Sequence, residues 1–265
     1  MVLADDKMTV SNERFRRVEL MLGSRAARRI RESFALVVGL GAVGSYAVEG
    51  LARAGVGRIR VVDFDRVNAS NINRQLYALG STIGRLKSDL ARERILDINP
   101  ACEVEAINGF VDSETVIEYI SDGPDVVIDA IDSLNPKVEL LAAARVRNLP
   151  LISCLGAAMR SDPTRVRIAP LEETSGCHLG RAVRKRLRRR EIPIDFSCIF
   201  SDEPLPDPLP VIAAPERAKE EDIFERGRVR DIMGSLPTIT GIFGLTAANL
   251  AIRMLTTEGE ADERR

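Results

Sequence analysis

Between residues 34 and 154 the chain alternates short apolar runs, rich in β-branched residues, with longer stretches whose apolar positions recur at helical spacing. Residues 34–39 (FALVVG) end in glycine and read as a strand buried on both faces. Residues 43–54 (VGSYAVEGLARA) follow as a helix that Gly55 and Gly57 terminate, and 58–63 (RIRVVD) form a second strand, completing a β-α-β unit. Helices over 84–98 and 136–147 and strands over 103–107, 125–131 and 150–154 continue the alternation. Upstream, Phe15, Val18, Leu22 and Ala26 stand at helical spacing, which predicts a helical arm over 14–32. Beyond residue 155 the order fades to a strand over 165–169, a very basic helix over 178–190 and a Pro-rich acidic loop over 202–216.

Such alternation defines an α/β fold, Rossmann-like and doubly wound, with a mainly parallel sheet. The chain divides into an N-terminal helical arm (1–33), a nucleotide-binding domain (34–170) and an irregular C-terminal region (171–265) continuous with the same fold. Lys plus Arg number 38 against 39 Asp plus Glu, so attraction to nucleic acid requires local clustering of charge. Cys102, Cys154, Cys177 and Cys198 are not closely paired and no signal segment opens the chain, which points to a reducing cytoplasm without disulfides or a thiolate zinc site. The charge-free run Ile232–Ile252 is long enough to cross a bilayer, but Pro237, its glycines and threonines, and Asn249 favour a buried or subunit-interface segment.

Gly39-Leu40-Gly41-Ala42-Val43-Gly44 is a G-x-G-x-x-G at a strand-to-helix junction, where glycines admit phosphate to the backbone and the helix N-terminus offers N–H groups. Asp63, nineteen residues beyond Gly44, ends the second strand and can accept hydrogen bonds from a ribose. These features leave NAD and ATP both open. The segment Asp63-Phe-Asp65 through Asn71-Ile-Asn73-Arg74-Gln75, then Lys87 and Asp129-Ala-Ile-Asp132, breaks the tie. Adenylyl transfer concentrates negative charge on phosphate oxygens, so its site requires cations and a metal-holding carboxylate that hydride transfer would leave without work.

With these residues the chain resembles the ubiquitin-activating-enzyme-like family, which includes the adenylyltransferases of molybdopterin and thiamine biosynthesis. The resemblance implies ATP and Mg2+ as cofactors. It implies that Gly39, Gly41, Ala42 and Gly44 line the nucleotide, with Ala42 standing where that family has its usual third glycine. Asp63, with Asp65 beside it, would hold the ribose; Asn71, Arg74 and Lys87 would contact the phosphates; Asp132 would bind Mg2+. Arg14 and Arg17, in Arg-Phe-x-Arg-x-Glu-Leu, resemble the arm from which a partner subunit inserts an arginine into the ATP site, which implies a homodimer and adds Arg17 to the catalytic set of Arg74, Lys87 and Asp132.

Within that family, Arg14 to Gly23, Ile98-Asn-Pro-Ala-Cys102, Leu155-Gly-Ala-Ala-Met159, Asp162-Pro-Thr-Arg165 and Phe200-Ser-Asp-Glu203 resemble the tRNA threonylcarbamoyladenosine dehydratases over residues 14–255. The branch implies adenylylation of the threonyl carboxylate of the modified adenosine, closure of the carbamoyl group onto the activated carbonyl, and release of AMP. No protein nucleophile is required. It implies tRNA as a partner and admits a sulfur-transfer protein as another. Seven cations between Arg181 and Arg190 could bind its phosphates, with Arg181, Arg184, Lys185 and Arg188 as candidates, or could form a solvated helix paired with the acids at 202–222. Ser175-Gly176-Cys177-His178 departs from the Asp-Pro turn of the branch; His178 reads as a surface residue and Cys198 as a buried, inert thiol. The alternative is an adenylyltransferase for the C-terminal glycine of a small sulfur-carrier protein, against which the missing C-x-x-C pairs count.

Overall fold

The five positions of β1 (Phe34–Val38) are all buried, and they divide between two cores. Ala35 and Val37 face one apolar cluster while Leu36 and Val38 face the other, as the two-residue period of a strand requires. This computed structural model describes residues 3–208, 210–212 and 232–257. On one side of β1 lie β2 (Arg58–Val62) and β3 (Glu103–Ile107), and on the other β4 (Val126–Asp129) and β5 (Leu151–Cys154), all parallel. The sheet continues through β7 (Ser197–Ser201), parallel to β5, to an antiparallel edge strand β6 (Val166–Pro170). The resulting order is β3-β2-β1-β4-β5-β7-β6. It reverses direction between β1 and β4, which opens a crevice at the carboxyl ends of those two strands.

Helices cover both faces. On the first, α3 (Gly44–Ala54), α4 (Lys87–Ile98) and α8 (Pro237–Thr257) supply Val48, Leu51, Ile95 and Phe243 to the core; on the second, α5 (Val116–Tyr119), α6 (Leu134–Val146) and α7 (His178–Arg189) supply Val116, Leu141 and Leu187. The doubly wound α/β class expected from the alternation is therefore the fold observed. Strand β8 (Val211–Ile212) and strand β9 (Ile232–Met233) form a separate antiparallel pair.

Three local differences have physical causes. The N-terminal arm is two helices, α1 (Leu3–Leu22) and α2 (Ser24–Glu32), because Gly23 takes a φ of 86°, outside helical geometry. Strand β7 went unread because only Cys198, Ile199 and Phe200 carry its apolar signal between two serines, although in the sheet its last four residues are buried. The charge-free run forms α8, whose length and apolar character match a membrane span, yet half of it is buried in the fold. Small residues explain its close seat on α3: a Cβ on Gly50 would stand 2.6 Å from that of Ala248, and one on Gly244 would overlap the carbonyl oxygen of Val43.

Candidate active site

The glycine motif forms the turn from β1 into α3. Gly39 has a φ of 90°, and a Cβ there would lie 2.8 Å from the carbonyl oxygen of Ala130; a Cβ on Gly44 would overlap the carbonyl oxygen of Gly39. The chain's own packing demands both glycines. Gly41 differs: an added Cβ would meet only Gln75 Nε2, at 3.7 Å, so its lack of a side chain leaves the outer face of the turn open to a ligand. The N-terminus of α3 beside it carries no side-chain cap, leaving backbone donors for an anion.

Asp63 fixes this turn. Its Oδ2 accepts the Leu40 N–H at 2.6 Å and its Oδ1 the Asp65 N–H at 2.8 Å. Burial pushes its pKa up, and Lys87 and the two backbone donors pull against that. The excursion between β2 and α4 then folds back onto the turn: the Leu76 N–H donates to Ser45 Oγ, and Tyr77 is buried against the start of α3. Asn71 closes a single 3-10 turn by accepting the Asn68 N–H, and Arg74 is held by the Ser70 carbonyl at 2.9 Å and Asn73 Oδ1 at 2.8 Å. Lys87, the first residue of α4, is 4% exposed, and its Nζ meets Asp65 Oδ2 at 2.7 Å. Gly39, Gly41, Ala42, Gly44, Asp63, Asp65, Asn71, Arg74 and Lys87 thus lie on three connected segments around one turn. Gln75, which sequence reasoning quoted without assigning it a role, is buried beside Gly41.

Asp132 lies exposed on the β4–α6 connection, across the crevice from the glycine turn. Beneath it is an ion pair that sequence reasoning missed. Asp129 ends β4, Lys137 lies in α6, both are fully buried, and Lys137 Nζ meets Asp129 Oδ2 at 2.6 Å. A cation in the first turn of a mainly apolar helix and a carboxylate ending an apolar strand were the available signals.

Other expected residues are placed elsewhere. Phe15 packs beside Gly55, at the far end of α3 from the glycine turn, and Arg14 donates to the carbonyls of Asp97 and Ile98, where it caps α4. Arg17, exposed on the same α1, makes no hydrogen bond or ion pair among the described residues. On α7, Arg184 turns inward to the carbonyls of Leu171 and Thr174 and Arg186 binds Asn135, while Arg190, just past the end of the helix, forks onto Glu139. Arg181, Lys185, Arg188 and Arg189 remain exposed with no partner among the described residues. The acids nearest in sequence do not pair with them: Asp202 binds Arg165 and Arg167, and Glu203 binds Ser161 and the Asp162 N–H; residues 213–222 of that stretch lie outside the described ones. His178 is exposed. All four cysteines are buried free thiols, and burial pushes Cys154 up to about 12 and Cys198 higher still, which makes those two poor nucleophiles.

Comparison with known proteins identifies the family. The model of the ThiF family matches residues 14–264. The tRNA threonylcarbamoyladenosine dehydratase of Bacillus subtilis is 46% identical over 189 residues, which cover 71% of this chain and 74% of that protein. Crystal structures of the Escherichia coli tRNA N6-threonylcarbamoyladenosine dehydratase in complex with AMP and with ATP align with TM-scores of 0.82 and 0.81, at 32% and 31% identity, over 96% of this chain and 97% of that one. On the glycine turn, the crevice and these relatives together, the chain belongs to the ThiF family, among the tRNA threonylcarbamoyladenosine dehydratases.

Proposed function

We propose that the chain uses ATP to dehydrate N6-threonylcarbamoyladenosine in tRNA, closing it into a ring through an acyl-adenylate. The observation that carries this reading is the turn at Gly41, open on its outer face and backed by Asp63, Asp65 and Lys87, in a chain so similar to dehydratases of the same fold. The threonyl carboxylate attacks the α-phosphorus of ATP, and pyrophosphate leaves. Lys87 and Arg74 offset the charge that grows on the phosphate oxygens, and the backbone donors at the start of α3 hold them. A nucleophilic atom of the substrate's own carbamoyl group then attacks the activated carbonyl, its proton is lost to solvent, and AMP departs. The ring closes without a protein nucleophile, because an intramolecular attacking group has a high effective concentration. This suits a site whose thiols are buried.

Magnesium would be held between one carboxylate, Asp132, exposed on the β4–α6 connection, and the substrate phosphates. Bound there, Mg2+ would neutralise phosphate charge.

The exposed stripe of Arg181, Lys185, Arg188 and Arg189 supports an RNA-backbone contact at α7; Arg184 serves the fold beneath it. Arg17, exposed and without a partner among the described residues, is available to the crevice of a second copy, which supports a homodimer. A tRNA substrate and the free, buried cysteines are in keeping with a cytoplasmic enzyme.

The test is to incubate the protein with ATP, Mg2+ and tRNA bearing threonylcarbamoyladenosine, then digest and weigh the nucleoside. Loss of one water with matching AMP release is expected. An unchanged nucleoside, with pyrophosphate exchange driven by a sulfur-carrier protein, would transfer the activity to that carboxylate.

A further inference from the structure

The Asp129–Lys137 pair is the most deeply buried charge in the described structure, and it contacts no solvent. Lys137 uses three donors: to Asp129 Oδ2 at 2.6 Å, to the Ile131 carbonyl at 2.8 Å and to the Cys154 carbonyl at 2.8 Å. Asp129 accepts the Ile131 N–H on Oδ1 at 3.1 Å and the Ser153 hydroxyl on Oδ2 at 2.6 Å. Both backbone groups of Ile131 are therefore held by this one pair, which also ties the end of β4 to the end of β5. Ile131 immediately precedes Asp132. The same short stretch supports the opposite wall of the crevice, since the Cβ position of Gly39 lies 2.8 Å from the Ala130 oxygen and 3.1 Å from the Ile131 nitrogen.

We propose that Lys137 and Asp129 are positioning residues for adenylation: a buried clamp that fixes the Ala130–Ile131 backbone and so sets Asp132 in register with the glycine turn. Two properties favour this over a purely structural role. A buried ion pair contributes little net stability compared with apolar residues of the same shape, because desolvation offsets its attraction. What it can supply is a unique geometry, and here one bond from each member holds Ile131, which joins the glycine turn to the carboxylate, while the bonds to Ser153 and Cys154 anchor the pair to the end of β5. A lysine whose three donors are all satisfied also leaves the loop few alternative arrangements.

The proposal rests on the reading of Asp132 as the magnesium carboxylate, and the test separates the two. ATP binding is measured by calorimetry across a range of Mg2+ concentrations for the wild type, Asp132→Ala, the isosteric double variant Asp129→Asn/Lys137→Met, and the triple variant, with melting followed by circular dichroism. The double variant should melt close to the wild type yet require about tenfold more Mg2+ for half-maximal ATP binding, as expected when a group supporting a metal ligand is lost. In the Asp132→Ala background the same two substitutions should change that requirement by less than about twofold, because the clamp then has no carboxylate to position. Wild-type magnesium dependence in the double variant, or an equal loss in both backgrounds, overturns the clamp. An Asp132→Ala protein with wild-type magnesium dependence overturns the metal assignment on which it rests. If the double variant does not fold, Ser153→Ala decides the matter: removal of one hydrogen bond to Asp129 should raise the magnesium requirement about threefold, and an unchanged requirement overturns the proposal.

Discussion

Two lysine–carboxylate pairs flank the same crevice at nearly the same distance, and they differ in almost every other respect. Lys87 and Asp65 meet at 2.7 Å with the Asp65 side chain 48% exposed, whereas Lys137 and Asp129 meet at 2.6 Å with both side chains at 0%. In the first pair Lys87 is itself buried, at 5%, but its partner has water to turn to, so an anion that competed for Lys87 would not strand Asp65 in the core. The buried pair has no water to turn to, so neither member can leave without exposing a bare charge to an apolar core. Identical chemistry therefore gives a pair that can open in one place and a pair that cannot in the other, and the solvent access of the carboxylate decides which.

The comparison can be broken most sharply by Lys137→Met alone. It strands Asp129 as an uncompensated buried carboxylate and should cost about 3–5 kcal/mol of stability in urea unfolding; a loss below about 1 kcal/mol would mean that Asp129 is readily protonated or hydrated, and the pair is not the fixed support described. Next in size, Lys87→Ala should reduce ATP–pyrophosphate exchange by roughly 10²–10³-fold while costing less stability than Lys137→Met, because Asp65 is left half-exposed to water. A variant that unfolds instead would make Lys87 a second structural lysine. Smaller again, Gly41→Ala should melt like the wild type, because its Cβ meets only Gln75 Nε2 at 3.7 Å, but should bind ATP weakly by calorimetry because the methyl occupies the face left open to phosphate. Unchanged ATP affinity would place the phosphates elsewhere.

A third carboxylate, remote from the crevice, gives the mildest effect and a control. Burial raises the pKa of Glu49 on α3, but its bonds to Arg94 and Arg53 outweigh this and hold it below its ordinary 4.5. Because the folded value is the lower one, the stabilisation from this carboxylate is fully present above 4.5 and is lost as the pH falls through the folded value. Glu49→Gln should therefore lessen the acid-side decline of melting temperature below 4.5 without altering ATP binding near neutrality. An identical acid decline in the variant would remove Glu49 from the account.

Legibility followed the same division between local and distant causes. β1, α3, β2 and β3 were readable because each is a contiguous run with its own period and its own stop signal, as with FALVVG and the paired glycines at 55 and 57. The glycine turn and the polar excursion from Asp63 to Lys87 were readable because the residues that surround the nucleotide crevice sit at the ends of those runs. The Asp129–Lys137 pair was not, since nothing in the sequence says that α6 delivers its fourth residue beneath the crevice. Nor could the sequence separate the cations of α7: Arg184 and Lys185 are neighbours, yet one is bonded beneath the helix and the other is exposed.

The sequence by itself determined the alternation of strands and helices, the position of the glycine turn and the chemical types gathered near it, because these depend on period and spacing over a few residues. Only the tertiary structure decided which lysine was paired with a solvent-exposed carboxylate, which arginines faced solvent, and that β7 would enter the sheet between β5 and β6. Those outcomes depend on solvent exclusion between segments far apart in the chain, and burial of that kind leaves no trace in local spacing.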